Sequence, residues 1–279
     1  MDDRTCPNCR SRRVVALFTK RAVDYWSCAD CRFRFATPEV NPNLAATLDS
    51  YEDAYRQYLE PQPADRANFE SLYRWMTSIT SLEGKRLLDV GAGSGKLVRY
   101  LRARGVDARG IEPSRPLFDR FLAGDTAFTC ATLDDISRAQ RPFPVVTAFD
   151  VIEHVADPRG FLHGIDAMLE SGGVFFLSTP DVESAAAKLF GKRWHFYYPY
   201  HLSYFSPRTL GAAARRHGLV MIARTHRGRF RSIGYVIRYS AEFILGAAAP
   251  AWASRFDDVY LPLNLFDTMY VAFRRRVAD

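Results

Sequence analysis

Nine consecutive residues, Leu87-Leu88-Asp89-Val90-Gly91-Ala92-Gly93-Ser94-Gly95, constrain this 279-residue chain more than any other stretch. A short apolar run leads straight into a turn with glycine at every second position. It reads as a strand over Arg86–Val90, a loop over Gly91–Gly95 and a helix over Leu97–Arg104 that stops at Gly105. Glycines there let the backbone take φ values that other residues resist. They also let an adenosine-containing ligand approach main-chain N–H groups at the start of the helix. A phosphate-binding P-loop ending at Gly95-Lys96 would need glycine where Val90 stands and Ser or Thr where Leu97 stands. A dinucleotide fingerprint would place the third glycine one residue later.

Strands and helices alternate from Lys85 onward, the pattern of parallel βαβ units. Further strands are expected over Ala108–Glu112, Ala127–Thr132, Val145–Phe149, Val174–Ser178, Leu219–Arg224 and Phe266–Arg274. Helices are expected over Arg115–Leu122, Pro158–Glu170 and Thr209–Arg216. All the loops of interest fall at the carboxyl ends of the parallel strands, the side on which open α/β sheets bind ligands. A composition of 48% hydrophobic and 25% charged residues supplies a core and excludes a disordered chain. No stretch approaches the roughly 20 apolar residues of a membrane span. The start MDDRTCPNCR has neither a basic leader nor an apolar h-region, so a cytoplasmic protein is expected.

Four of the five cysteines fall as Cys6-x2-Cys9 and Cys28-x2-Cys31. Each CxxC turn presents two thiolates, and Ser11–Ser27 is long enough for a β-hairpin that folds one pair onto the other. Two disulfides are disfavoured in a reducing compartment, and so short a segment needs a staple. The pattern indicates a closed structural zinc site in a ribbon over residues 1–40, with iron as the minor alternative. Cys130 lies apart and reads as core. Residues 41–84 read as a linker, opening in the Pro- and Asn-rich stretch Ala36–Asn43, followed by helices over Leu44–Ile79. The remainder, 85–279, reads as the main domain. An Ala-, Ile- and Leu-rich helical insertion is expected near 231–252.

Two acidic positions extend the glycine loop into a site. Glu112 ends the second strand, where a carboxylate accepts hydrogen bonds from both hydroxyls of a ribose. Thr132-Leu133-Asp134-Asp135 follows the third strand, where Leu133 and Asp134 are candidates for the adenine edge.

These residues resemble the class I S-adenosylmethionine-dependent methyltransferases, through LLDVGAGSG, the acidic strand end GIEPS and FDVIEHVADP after the fourth strand. The resemblance covers about Tyr51 to Arg227. It implies an α/β fold with a Rossmann-like core, a seven-stranded mostly parallel sheet with helices on both faces, here preceded by the small zinc ribbon. It implies S-adenosylmethionine as cofactor, with Asp89, Gly91, Ala92, Gly93 and Gly95 at its methionine and ribose part and Glu112 on the ribose. It also implies that Asp150–His154 sits beside the sulfonium and that Tyr51 or Tyr55 closes over the cofactor.

Methyl transfer to a hydroxyl needs alignment with the S–CH3 bond and a base for the proton, and it needs no metal. His201 and His154, with Glu153, are the catalytic candidates. The aromatic stretch around His201 offers Trp194, Tyr197, Tyr198, Tyr200 and Tyr204 as a substrate wall. Thirty-eight Lys+Arg against 31 Asp+Glu give a net charge of +7, which favours anionic partners. The Arg215–Arg231 cluster suits a diphosphate.

The whole indicates methyl transfer to a hydroxyl or amine of a small, sugar-like or anionic metabolite, nucleotide- or lipid-linked in one form. One alternative is an rRNA base methyltransferase whose ribbon stacks bases on Tyr25, Trp26 and Phe33. A second is a noncatalytic cofactor-binding scaffold. Mutation of Cys6 or Cys28 is expected to lower stability and metal content more than methyl transfer.

Overall fold

The computed structural model describes residues 4–20, 23–38, 59–136, 141–241 and 247–277. Its central sheet contains β4 (Arg86–Val90), β5 (Asp107–Ile111), β6 (Phe128–Thr129), β7 (Phe143–Phe149), β8 (Leu169–Pro180), β10 (Leu219–His226) and β13 (Thr268–Arg275). The order is β10-β13-β8-β7-β4-β5-β6. Neighbours from β6 through β8 pair in parallel, whereas β13 runs antiparallel to both β8 and β10. Chain order reverses between β4 and β7, so a crevice opens at their carboxyl ends.

Strand alternation sorts the apolar side chains into two layers. Leu88, Val90, Phe175 and Leu177 join Phe161, Leu162 and Ile165 of the helix Pro158–Met168 in one cluster. Leu87, Val174 and Phe176 join Leu72 and Met76 of the helix Asp65–Thr77 and Val98 and Leu101 of the helix Lys96–Arg102 in the other. Helices therefore cover both faces of a seven-stranded, mostly parallel sheet. The mostly apolar strands β8 and β13 suit this double burial.

The observed elements differ from the expected ones where local signals are weakest. The third strand shrinks from Ala127–Thr132 to Phe128–Thr129 at the sheet edge, because Thr132 turns out to pair with the Asp135 carboxylate at 2.8 Å and starts the short helix Leu133–Ile136. β8 extends well beyond Val174–Ser178, since β7 and β13 hold it from both sides. The expected helix near 231–252 instead opens as a strand. β11 (Arg229–Ser232) pairs with β12 (Tyr260–Leu263), and only then does Ser232 cap the helix Ile233–Tyr239 by accepting from Tyr235 N–H. A 3-10 turn, Ala251–Phe256, follows Pro250.

The ribbon contains the expected hairpin, β1 (Val14–Lys20) and β2 (Val23–Cys28), and adds β3 (Arg34–Pro38) through the stretch read as the start of a linker. Its fourth strand is β9 (Ser203–Tyr204), supplied from well beyond the ribbon in sequence. Cys6, Cys28, Phe33 and Phe35 belong to the same buried cluster as the strands of the central sheet. Arg216 also reaches across to the Asn8 carbonyl at 2.9 Å. No helix among the described residues is long and apolar enough to cross a membrane.

Candidate active site and zinc site

The four ribbon cysteines bring their sulfurs within 4.8 Å of one another, with Cys6–Cys31 at 3.7 Å and Cys9–Cys28 at 3.5 Å. A zinc ion with Zn–S bonds of about 2.3 Å in a tetrahedron separates its sulfurs by about 3.8 Å, so the donor set fits zinc. Two matching turns build it. Arg10 N–H donates to Cys6 O and Arg32 N–H to Cys28 O, and Arg10 and Arg32 both sit at φ 62. Cys130 is not part of this group.

At the crevice, a cavity of about 520 Å³ is lined by Asp89, Gly91, Ala92, Gly93, Asp150 and His154, among others. Gly91 and Gly95 cannot be replaced without a shift. A Cβ on Gly91 would lie 2.7 Å from Val151, and one on Gly95 would lie 2.6 Å from Phe128. Gly93, by contrast, meets only Leu59 at 3.8 Å, which leaves room over the turn for a ligand. Asp89 is buried and accepts from Thr147 Oγ1 at 2.6 Å. Burial pushes its carboxyl up to about 7 against the Thr147 hydrogen bond. Glu112 supports the turn from below, its two oxygens accepting from Gly93 N–H and Ser114 N–H, each at 2.8 Å. Burial raises its pKa despite these two donors.

Asp150 adopts φ 56, in the left-handed region that Asp tolerates better than most residues. It accepts from Ser178 Oγ at 2.6 Å and from the Arg229 guanidinium. Burial would raise its carboxyl, but the Arg229 charge and these hydrogen bonds outweigh it and hold the group below the ordinary range.

Glu153, His154 and His201 place their donor atoms within 4.8 Å of one another, and the two imidazoles meet edge to face at 4.7 Å. A backbone carbonyl only accepts, so the contacts His154 Nδ1 to Tyr200 O (2.9 Å) and His201 Nδ1 to Phe196 O (3.0 Å) put the proton on Nδ1 in both rings. Each Nε2 then carries a lone pair. Burial lowers the pKa of His154, and burial together with His154 lowers that of His201 much further, so both are neutral near pH 7. Glu153 is buried, its pKa is raised well above the ordinary value by burial and the Asp150 charge, and its Oε2 has no hydrogen-bond partner.

The structure thus gathers Asp89, Gly91, Ala92, Gly93, Asp150 and His154 around one cavity, with Gly95, Glu112, Glu153 and His201 outside its lining. Tyr51 and Tyr55 lie outside the described residues. Leu133 and Asp134 do not line the cavity. Leu133 packs under Gly164, and Asp134 is exposed at the start of its helix.

The expected aromatic wall is a correction of a different kind. Trp194, Tyr197 and Tyr204 are buried with Val23, Tyr25 and Ala36 of the ribbon, while the half-buried Tyr198 and Tyr200 meet at a tilt, ring centres 5.3 Å apart, outside the cavity lining. Tyr25 and Phe33 are likewise buried and present no stacking surface to a nucleic acid base. Arg227, Arg229 and Arg231 from the charge cluster do line the cavity. Asn68 and Tyr270 were missed. Asn68 accepts from Phe230 N–H at 2.8 Å, and the Tyr270 hydroxyl accepts from Arg229 Nε at 3.0 Å.

The family model described as methyltransferase domain matches residues 55–224. The chain belongs to this methyltransferase family. Its Rossmann-like core is that of the class I S-adenosylmethionine-dependent enzymes. The ubiquinone biosynthesis O-methyltransferase of Alkalilimnicola ehrlichii is 31% identical over 105 residues, 35% of this chain and 42% of that protein, so the match spans less than half of the relative. An S-adenosylmethionine-dependent methyltransferase of Thermotoga maritima superposes with a TM-score of 0.52 at 15% identity, covering 83% of this chain and 98% of that one. The 1,6-didemethyltoxoflavin-N1-methyltransferase of Burkholderia thailandensis, solved with S-adenosylhomocysteine, gives 0.50 at 14% identity, covering 94% and 99%.

Proposed function

We propose that this methyltransferase moves a methyl group onto a hydroxyl of a small anionic acceptor, with His154 as the base and His201 behind it. One observation carries the reading: a single cavity is lined by the glycine turn, by His154 and by Arg227, Arg229 and Arg231. S-adenosylmethionine, when bound, supplies a methyl already made electrophilic by its sulfonium. Gly93 leaves space over the turn, and Glu112 holds the Gly93 amide in place. The neutral His154 ring accepts the hydroxyl proton as the acceptor oxygen gains the methyl and the S–CH3 bond breaks. The arginines favour a carboxylate or phosphate on the acceptor. The O-methyltransferase name of the matched relative supports oxygen over nitrogen as the acceptor atom. Four free thiols grouped for zinc suit a reducing, cytoplasmic setting.

Calorimetric titration with S-adenosylhomocysteine tests the cofactor half. Micromolar binding is expected, lost in Gly93→Arg, which fills the space over the turn. Transfer of labelled methyl to hydroxylated carboxylates, nucleotide sugars and RNA tests the acceptor half. Transfer to RNA alone would overturn the small-molecule reading, cofactor binding with transfer to none of these acceptors would favour the cofactor-binding scaffold, and absence of cofactor binding by zinc-loaded protein would overturn the cofactor half.

A further inference from the structure

The ribbon does not line the cavity, yet the ring hydrogen bonds of both histidines end on a segment the ribbon clamps. His201 takes its tautomer from Phe196 O and His154 takes its tautomer from Tyr200 O. The segment 194–204 that supplies both carbonyls is held by the ribbon from several directions. Lys20 Nζ donates to Trp194 O at 3.1 Å, the Arg34 guanidinium donates to the Tyr197 hydroxyl at 2.8 Å, and Ala36 N–H donates to Leu202 O at 2.9 Å. Leu202, the residue after His201, passes the restraint on, since its own N–H donates to Glu153 O at 2.7 Å. Phe18 and Tyr25 add ring contacts to Tyr197 at 4.9 and 5.1 Å.

The strand that carries Arg34 and Ala36, two of the three hydrogen-bond donors, is set by the cysteines. Cys28 N–H donates to Phe33 O at 2.9 Å and Cys28 O accepts from Arg32 N–H, so the Cys28–Cys31 turn determines where β3 begins. Two residues later Arg34 pairs with Tyr204 and Phe35 with Ser203. The cofactor side is anchored elsewhere, with Gly91 N–H on Ile111 O, Gly93 N–H on Glu112 and Asp89 on Thr147.

We propose that the four-cysteine ribbon is a positioning element of the acceptor site: through Arg34 and Ala36 it holds the 194–204 segment that orients His154 and His201, so zinc occupancy controls acceptor activation separately from cofactor binding. The proposal rests on the reading of these histidines as the proton-handling pair. It changes the expectation that cysteine loss would act mainly on stability.

The test uses the full chain with ring-labelled histidine. Nitrogen and carbon spectra of the imidazoles are recorded before and after zinc is stripped with a chelator, and again in Ala36→Pro, which keeps all four cysteines but deletes the N–H that reaches Leu202. Signals are assigned with His154→Gln and His201→Asn. Zinc removal is expected to turn the Nδ1-protonated signature of both rings into a mixture of tautomers and to move their titration toward ordinary imidazole. The affinity for S-adenosylhomocysteine should meanwhile stay within about twofold. Ala36→Pro at unchanged zinc content should move the same two rings, and Arg34→Met should do so more than Arg34→Lys. Unchanged His154 and His201 signals after zinc removal would overturn the proposal. So would their loss together with cofactor binding, which would make the ribbon a general stabiliser. A failure of the methyltransferase reading would show separately, as absent cofactor binding in zinc-loaded wild type.

Discussion

The main-chain N–H of Ala36 in the ribbon donates to the carbonyl of Leu202 at 2.9 Å, joining two residues that lie far apart in the chain, the second of them next to His201. This bond and the β3–β9 pairing beside it make the ribbon sheet continuous with the segment that carries His201. Trp194 sits at the seam, fully buried, with its indole N–H donating to Asp267 at 3.1 Å. Burial of an aromatic side chain of this kind is worth about 1.5–3 kcal/mol or more, and it is contributed here by both parts of the chain together.

Zinc content follows from the sulfur geometry. Purified protein should hold one four-thiolate zinc per chain, and Cys130→Ala should hold the same amount because Cys130 lies outside the group. Replacing any one of Cys6, Cys9, Cys28 or Cys31 by Ser should lower the metal measured by mass spectrometry. Full zinc retention in those variants would contradict the assignment.

Backbone conformation and crowding can be separated at two glycines. Gly84 has φ +65 with no atom within 4 Å of an added Cβ, so Gly84→Ala should cost about 1–2 kcal/mol from the left-handed conformation alone. Gly95 has φ +76 and Phe128 and Leu122 at 2.6 and 2.7 Å, so Gly95→Ala should add a further overpacking cost of about 1–3 kcal/mol. Urea denaturation of both variants gives the comparison. Equal losses would mean that the ring and the leucine move aside freely.

The Arg229–Asp150 pair should show strong coupling. Arg229→Met leaves a half-buried carboxylate with the Ser178 hydroxyl and the more distant Arg231 charge, and a stability loss of about 1 kcal/mol is expected. Adding Asp150→Asn should recover part of it, because the half-buried, unpaired charge is then gone. Asp150 is held below the ordinary carboxylate range, so the stability it contributes is present above that range and fades as pH falls. A double-mutant cycle with no coupling would show the pair to be solvated.

How far these features were legible in the sequence depends on range. The glycine turn, the CxxC spacing and Glu112 are local patterns; the structure brings the four cysteines together and puts Gly91 and Gly93 on the cavity, whereas both Glu112 oxygens accept from backbone N–H groups outside its lining. Ser203–Tyr204 is too short a strand for alternation to register, and its partner β3 is more than 160 residues earlier, so the closure of the ribbon sheet had no local trace. Aromatic density around His201 reads the same whether the rings line a pocket or fill a core. Only the buried partners Val23, Tyr25 and Ala36 decide it for Trp194, Tyr197 and Tyr204. Arg229 stood in a visible basic cluster, but its partner Asp150 is 79 residues away.

Asp89 supplies a pH dependence with a definite sign. Burial raises its folded-state pKa to about 7 from the ordinary 3.8, so between these values the native protein keeps a proton that the unfolded chain gives up. Stability from this group is therefore fully present below about pH 4 and is lost as pH rises toward about 7. Asp89→Asn keeps an oxygen to accept from Thr147 Oγ1 and removes the ionisation. Glu153 is raised as well, and zinc binding weakens in acid, but both effects are shared by the two proteins and cancel in their difference, whereas Glu112, whose charge helps raise Asp89, ionises more readily once position 89 is neutral and adds to the difference. Urea denaturation across this pH range should show the wild type losing stability relative to Asp89→Asn as pH rises, with the difference levelling off above about pH 7. A difference independent of pH would mean that Asp89 ionises at its ordinary pKa and that water reaches it in the folded state.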